Sequence, residues 1–439
     1  MEPSTDTDTS TYAPVDAGWH VAAAHEGLSP ELVPIIEGGV TSAAGFTASG
    51  VHAGFRRNPS RLDMALVLAD EPCTCAGTFT RNPFASAPVQ VSRGHAAAGT
   101  ARAVIVNSGN ANAATGREGI EKALHTCDLV ADAVGCDPGE VLVSSTGVVG
   151  VPLPMGPFER GIPMALERAS VPGGTYAASA ILTTDTFAKE YAVSYVSEAP
   201  GLEGTRVTVG GMTKGSGMIM PNMATMIAVI TTDLPLSHEV AQQALSEVVG
   251  DTFNRVIIDA DTSPNDTCIL LASGAAAPTF EVEVGDAAYH EFVVALDDVC
   301  RFLARLIAFD GEGSTKLITV TVDGARSDAE ADLAARKVAS STLVKTAVFG
   351  HDCNWGRIAV ALGTSGARFD ATDVDIDIMG IPVCRQGMSM AFDEDEALAR
   401  FEAREVPIWC DLGAGTGSAT IWTCDLTYDY VRINGEYRT

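Results

Sequence analysis

Thr225 is the residue of this chain best placed by its neighbours to do covalent chemistry. It closes the glycine-rich, proline-containing bend Lys214-Gly215-Ser216-Gly217-Met218-Ile219-Met220-Pro221-Asn222-Met223-Ala224-Thr225 and precedes the apolar run Met226-Ile227-Ala228-Val229-Ile230-Thr231-Thr232-Asp233. A threonine hydroxyl is a weak nucleophile until a base is held against it, and cutting the chain just before it turns its own new α-amine into that base. A small preceding residue, here Ala224, and glycines that permit unusual backbone angles are what a bend strained toward such a cut requires. Taken alone, the segment is more commonly a buried strand whose first residue happens to be threonine.

Other polar, glycine-rich segments carry weaker signals. Ser144-Ser145-Thr146-Gly147-Val148-Val149-Gly150 sets a hydroxyl beside a glycine amide, two donors suited to a developing oxyanion, and a plain turn explains it equally well. Gly311-Glu312-Gly313 presents a carboxylate apt for an ammonium group, although a solvated turn is the commoner meaning of such a sequence. Asn107-Ser108-Gly109-Asn110-Ala111-Asn112 reads as a further polar turn after a strand. There is no G-x-x-x-x-G-K-[ST] phosphate loop, no G-x-S-x-G elbow and no H-E-x-x-H pair among the eight histidines. Cys73-Thr74-Cys75 and His351-Asp352-Cys353 lack a second ligand pair at zinc spacing, so no metal is expected. Asn265-Asp266-Thr267 fits a glycosylation sequon that has no meaning in a cytoplasmic protein. By elimination, a threonine nucleophile is the best catalytic candidate.

The elements that must position these residues read as α/β. Strands are predicted at 103–106, 141–143, 317–322, 374–378 and 419–426, and helices over 118–134, 237–249 (N-capped by Ser237) and 289–308. Ser327-Asp328-Ala329-Glu330 has the form of a capping box opening a helix that runs toward Val348. Residues 1 to about 14, rich in Ser, Thr, Asp and Pro, read as a flexible extension, with order beginning near Gly38-Gly39-Val40-Thr41.

A formal net charge of -28 argues against nucleic acid and anionic membrane surfaces as partners, so an anionic substrate would need a local cation such as Lys214. Ten cysteines, with no basic-then-apolar leader at the N-terminus, point to reduced thiols in a cytoplasm. No stretch reaches the roughly 18 apolar residues needed to cross a bilayer.

The segments Asn107 to Gly116, Ser145 to Gly150, Lys214 to Asp233, Phe253 to Gly274, Gly350 to Gly363 and Thr423 to Thr439 resemble, in order, motifs of the ornithine acetyltransferase (glutamate N-acetyltransferase) family. The resemblance covers nearly everything from about Gly39 onward. It implies an αββα sandwich of the kind shared with self-processing aminopeptidases, and self-cleavage between Ala224 and Thr225. The fragments would be an α chain, 39–224 after an extension of residues 1–38, and a β chain, 225–439, associated as a heterotetramer or larger assembly. It further implies Thr225 as nucleophile, Thr146 and Gly147 as the oxyanion pair, and substrate contacts at Thr183, Lys214, Glu312, Asn434 and Thr439, of which Thr183 is the loosest match among neighbouring threonines. The implied reaction moves the acetyl group of N2-acetylornithine to glutamate in arginine biosynthesis without a cofactor, and leaves open whether acetyl-CoA is also a donor. Ala114, Met220, His351 and Cys353 depart from the family pattern without touching the nucleophile or the oxyanion pair. An amidase or aminopeptidase of the same fold, passing its acyl group to water, is the first alternative, and a non-catalytic acidic scaffold, which would stay uncut, is the second.

Overall fold

The computed structural model describes residues 30–220 and 226–436. Most of the N-terminal extension therefore lies outside the described residues. Order starts ahead of Gly38, because β1 (Val33–Pro34) pairs with a strand far along the chain. Next come β2 (Phe46–Val51) and β3 (Met64–Phe79), and β3 decides the architecture. Its first half pairs with β2 and with β4 (Thr100–Asn110), and its second half pairs with β10 (Thr267–Ala272). Between the halves the register slips from Leu68 to Cys73, where Asp70, Glu71 and Pro72 are exposed. A proline cannot donate to a ladder and is tolerated at such a break. One sheet, nine-stranded among the described residues, is thereby folded into two layers.

The first layer is β2, the start of β3, β4 and β5 (Val141–Val148); the second is β6 (Lys189–Val196), β7 (Arg206–Lys214), β8 (Ile227–Thr232), β10 and the end of β3. Alternation along each strand sorts the side chains. Ala65, Val67, Val104 and Val106 of the first layer share a core with Val229, Ile269 and Leu271 of the second. Met64, Leu66, Ile105 and Val143 point the other way, onto α1 (Ala87–Ala96), α2 (Gly116–Val134) and α3 (Gly156–Arg168). Ala228, Ile230, Cys268 and Leu270 point onto α5 (His238–Asp251) and α6 (Ala287–Phe309), while α4 (Gly174–Ala180) closes the side near β2. The layers thus run helix, sheet, sheet, helix, the αββα order expected from the resemblance.

The second lobe is built on a sheet that is seven-stranded among the described residues. It comprises β9 (Val256–Ile257), β11 (Leu317–Ala325), β12 (Asp375–Ile378), β13 (Ile381–Arg385), β14 (Met388–Ser389), β15 (Glu405–Asp411) and β16 (Gly417–Cys424). Its apolar face carries α7 (Asp328–Ala339), α8 (Thr342–Phe349), α9 (Trp355–Gly363) and α10 (Glu394–Arg400), and α11 (Tyr428–Glu436) follows β16. Helix α6 touches both lobes, since Leu317, Trp422 and Cys424 join the core it forms on the sandwich, so it is buried nearly all round.

Most predicted elements are present, and some differ in extent. The helix predicted to run from Ser327 toward Val348 is two helices, because a second cap at Ser341 starts α8. The capping box is half made: the Ser327 hydroxyl accepts from the Glu330 amide, but the Glu330 carboxylate is turned to Arg368. The segments read as turns after strands are largely strand themselves, β4 reaching Asn110 and β5 reaching Val148.

Candidate active site

The parallel ends of β4 and β5 place Ser108 beside Thr146 and Gly109 beside Gly147, with an irregularity at Asn110. Gly147 has φ 131°, and a Cβ there would lie 2.4 Å from the Gly109 carbonyl carbon, so only glycine allows the strands to approach this closely. The asparagines nearby are buried cross-links. Asn107 accepts from Ser145 Oγ at 2.6 Å and donates to the Asn110 carbonyl at 2.9 Å. Asn265 donates to the Ala111 carbonyl at 2.7 Å and to the Ser145 carbonyl at 2.8 Å. Asn265, whose sequon was set aside, has a structural role: its amide spans from just ahead of β10 to the residue before Thr146.

On the opposite wall, β7 ends at Lys214, whose Nζ lies 3.9 Å from Asp185 Oδ2. Asp185 also accepts from the Thr183 amide at 3.0 Å, the Gly215 amide at 2.7 Å and Lys189 Nζ at 2.7 Å. Lys189 is fully buried and reaches Asp310 at 2.6 Å as well. Burial works against charge on Asp185, but Lys189 and Lys214 outweigh it and hold the carboxyl below the ordinary carboxylate range. Burial opposes charge on Lys189 too, and Asp185 and Asp310 overcome it, raising its pKa. From Asp310 the network continues: its carbonyl accepts from Ser216 Oγ at 2.6 Å, and the Ser216 carbonyl accepts from the Glu312 amide at 2.9 Å.

Glu312 lies between its two glycines, buried, with the Gly217 backbone so close that a Cβ on Gly217 would sit 2.4 Å from the carboxyl carbon. Its Oε2 accepts from Asn434 Nδ2 at 2.6 Å. Helix α11 therefore brings the C-terminal segment into the site.

Thr146, Gly147, Thr183, Lys214, Glu312 and Asn434 all line one pocket, with a cavity of about 100 Å³. Met226 lines it as well, next in the chain to Thr225. Thr225, Ala224 and Thr439 lie outside the described residues. The pocket offers hydroxyl and amide donors on one wall, and a cation and a carboxylate on the other, a set suited to a small molecule bearing both charges.

Asp266 also lines the pocket, unanticipated from the sequence. Burial pushes its carboxyl well above the ordinary range, against hydrogen bonds from Thr80, the Met226 amide and Ser263. Asp185, Lys189 and Asp310 were equally missed, because Asp310 lies 121 residues from Lys189 and only the fold brings it to the pair. Among the described residues no group of three or more His, Cys, Asp or Glu side chains could hold a metal ion, and no helix is long and apolar enough to cross a membrane.

Residues 47–439 match the model of the ArgJ family. The arginine biosynthesis bifunctional protein ArgJ of Symbiobacterium thermophilum is 46% identical over 405 residues, 92% of this chain and 99% of that protein. The protein of the same name from Caldanaerobacter subterraneus subsp. tengcongensis is 44% identical, over 92% of this chain and all of its own length (100%). The crystal structure of the Bacillus halodurans arginine biosynthesis bifunctional protein argJ is 44% identical, with a TM-score of 0.46, over 47% of this chain and 97% of that one.

Proposed function

The chain belongs to the ArgJ family, and from that premise we propose that it carries acetyl groups from N2-acetylornithine to glutamate on Thr225, in arginine biosynthesis. The observation that carries this reading is the meeting in one pocket of Thr146, Gly147, Thr183, Lys214, Glu312 and Asn434, beside Met226.

The chain first cuts itself. Thr225 Oγ attacks the Ala224 carbonyl, the Ala224–Thr225 C–N bond breaks with the proton going to the departing amine, and water hydrolyses the resulting ester. That leaves a carboxylate on Ala224 and a free amine on Thr225. The cut falls between β7 and β8, which pair from Lys214 opposite Ile227 to Val209 opposite Thr232. The two fragments, 1–224 and 225–439, thus share one sheet, which supports their staying together, as two or more copies of each in this proposal.

In the mature enzyme the Thr225 amine takes the hydroxyl proton as Oγ attacks the acetyl carbonyl. Thr146 and the Gly147 N–H donate to the oxyanion that forms. The C–N bond to ornithine breaks, the proton passes to the leaving amine, and the acetyl group remains as an ester on Thr225. Glutamate then enters, its amine attacks the ester, and N-acetylglutamate leaves as Thr225 recovers its proton. Both substrates are α-amino acids, so the Lys214 cation and the Glu312 carboxylate can serve each in turn, with Thr183 and Thr439 as further contacts. No cofactor is called on; acetyl-CoA is included as a second acetyl donor.

The test is a denaturing gel with N-terminal sequencing, together with an assay of acetylglutamate formed from N2-acetylornithine and, separately, from acetyl-CoA. A new terminus at Thr225-Met226-Ile227 and loss of both cleavage and transfer in Thr225→Ala are expected. An uncut, fully active chain, or turnover by Thr225→Ala, would remove the nucleophile. Free acetate in place of acetylglutamate would favour the amidase alternative.

A further inference from the structure

The connection from β9 to β10, residues 258–266, together with the first residue of β10, grips the chain on both sides of residues 221–225. Upstream, the Asp259 carboxylate accepts from the Met218 amide at 2.6 Å and the Ile219 amide at 2.7 Å. The Ile258 amide donates to the Ile219 carbonyl at 2.6 Å, Ile219 forms an isolated antiparallel bridge with Thr262, and Thr262 Oγ1 donates to the Met220 carbonyl at 2.8 Å. Downstream, the Thr267 amide donates to the Met226 carbonyl at 2.9 Å, and pairing of β8 with β10 begins at Ile227 opposite Thr267.

The grip is itself held from outside. Buried Lys345 of α8 donates to the Ile258 carbonyl at 2.5 Å, and the Tyr430 hydroxyl of α11 donates to Asp259 at 3.3 Å. The gripped segment and the loop that grips it each hold a non-glycine residue in the left-handed region, Met218 at φ 58° and Ala260 at φ 65°. Such angles persist only where the surroundings over-determine them, and a carboxylate bridging two successive amides does so.

We propose that Asp259 is a positioning residue for self-cleavage: by fixing residues 218–219 against the loop whose far end holds Met226, it sets the span of the segment that contains the Ala224–Thr225 bond. This rests on the cleavage proposed above. A hydroxyl attacking the preceding carbonyl needs an uncommon backbone geometry, and pinning both ends of a short segment removes most of the conformations that compete with it. The clamp acts before acetyl transfer, and Asp259 itself does not line the pocket, although Met218, which it holds, does. After the cut it joins the end of the first fragment to the second.

The test follows full-length precursor from cell-free translation as it converts to fragments on a denaturing gel. Asp259→Asn removes the double acceptor and is expected to slow conversion about tenfold or more. Asp261→Asn, the same charge change at an exposed neighbour, should convert at the wild-type rate, and Thr262→Val should fall between. Asp259→Asn protein that has completed cleavage should transfer acetyl groups with wild-type kcat and KM, a result that a general structural defect would not give. Wild-type conversion by Asp259→Asn, or a loss of kcat in its matured form as large as its loss in conversion, overturns the clamp. If Asp259→Asn does not fold, Thr262→Val decides: slowed conversion supports the clamp and an unchanged rate overturns it. A wild-type chain that is never cut before Thr225 brings down the cleavage reading and the clamp with it, whereas normal wild-type cutting with an unimpaired Asp259→Asn removes the clamp alone.

Discussion

Behind Thr146 and Gly147 the supporting groups are neutral, Asn107, Ser145 and Asn265, whereas behind Thr183 and Lys214 they are the full charges of Asp185, Lys189 and Asp310. The difference suits the role proposed for each wall. A pair of donors meant for an oxyanion is best fixed by neutral amides, since a carboxylate nearby would oppose the charge that develops. A lysine proposed to meet a substrate carboxylate has to be held in place, and the buried Asp185 carboxylate 3.9 Å from its Nζ does so. The charged wall is costly to bury and fails badly when one member is lost; the neutral wall fails by degrees.

Lys189→Met puts the comparison under the greatest strain. It leaves Asp185 and Asp310 buried without their shared cation, and a loss of roughly 3–5 kcal/mol is expected, read from denaturant unfolding. A loss below about 1 kcal/mol would show that the charges are not paired as described. Asn265→Ala strips the Ala111 and Ser145 carbonyls of their donor and should cost about 2 kcal/mol of stability. Because Ser145 precedes Thr146, kcat should also fall roughly 10- to 100-fold with little change in KM. Asp185→Asn should show the reverse pattern, a KM raised about tenfold with kcat nearly kept, since it loosens Lys214 and Thr183 and leaves the oxyanion wall alone.

The smallest effect is on pH. Asp185 is held below its ordinary value of 3.8, so its contribution to stability is complete above that pH and is lost as pH falls below it, toward its folded pKa. Asp266 is raised above the same reference, so its contribution is complete below about pH 3.8 and is lost as pH rises toward its folded pKa. Asp266→Asn should therefore gain stability relative to wild type as pH rises from about 4 toward neutrality, and thermal melts across that range measure it. Asp185→Asn should lose its disadvantage below about pH 3.8.

Much of the sandwich was legible because alternation and helical spacing are local. Val104 and Val106 against Ala103 and Ile105 already sort into two faces, and Ser237 marks the start of α5 by its own hydrogen bond. Within the pocket, Thr146, Gly147, Lys214 and Glu312 stood out because glycines flank or adjoin them. Asn265 and Asp266 did not, since each looks in the sequence like an ordinary polar residue in a loop.

From residue order and composition alone came the alternation of strands and helices, an acidity that argues against polyanionic partners, and the ordered motifs that place the chain among its relatives. Each of these depends on neighbouring residues or on composition. Only the tertiary structure decided that β3 bends one sheet into two layers, that Asp185 and Asp310 share Lys189, that Asn434 reaches Glu312, and that Asp259 holds the chain ahead of Thr225. Those contacts join residues far apart along the chain, where what pairs them is burial: a charge or amide removed from water must find a partner, and the fold alone supplies it.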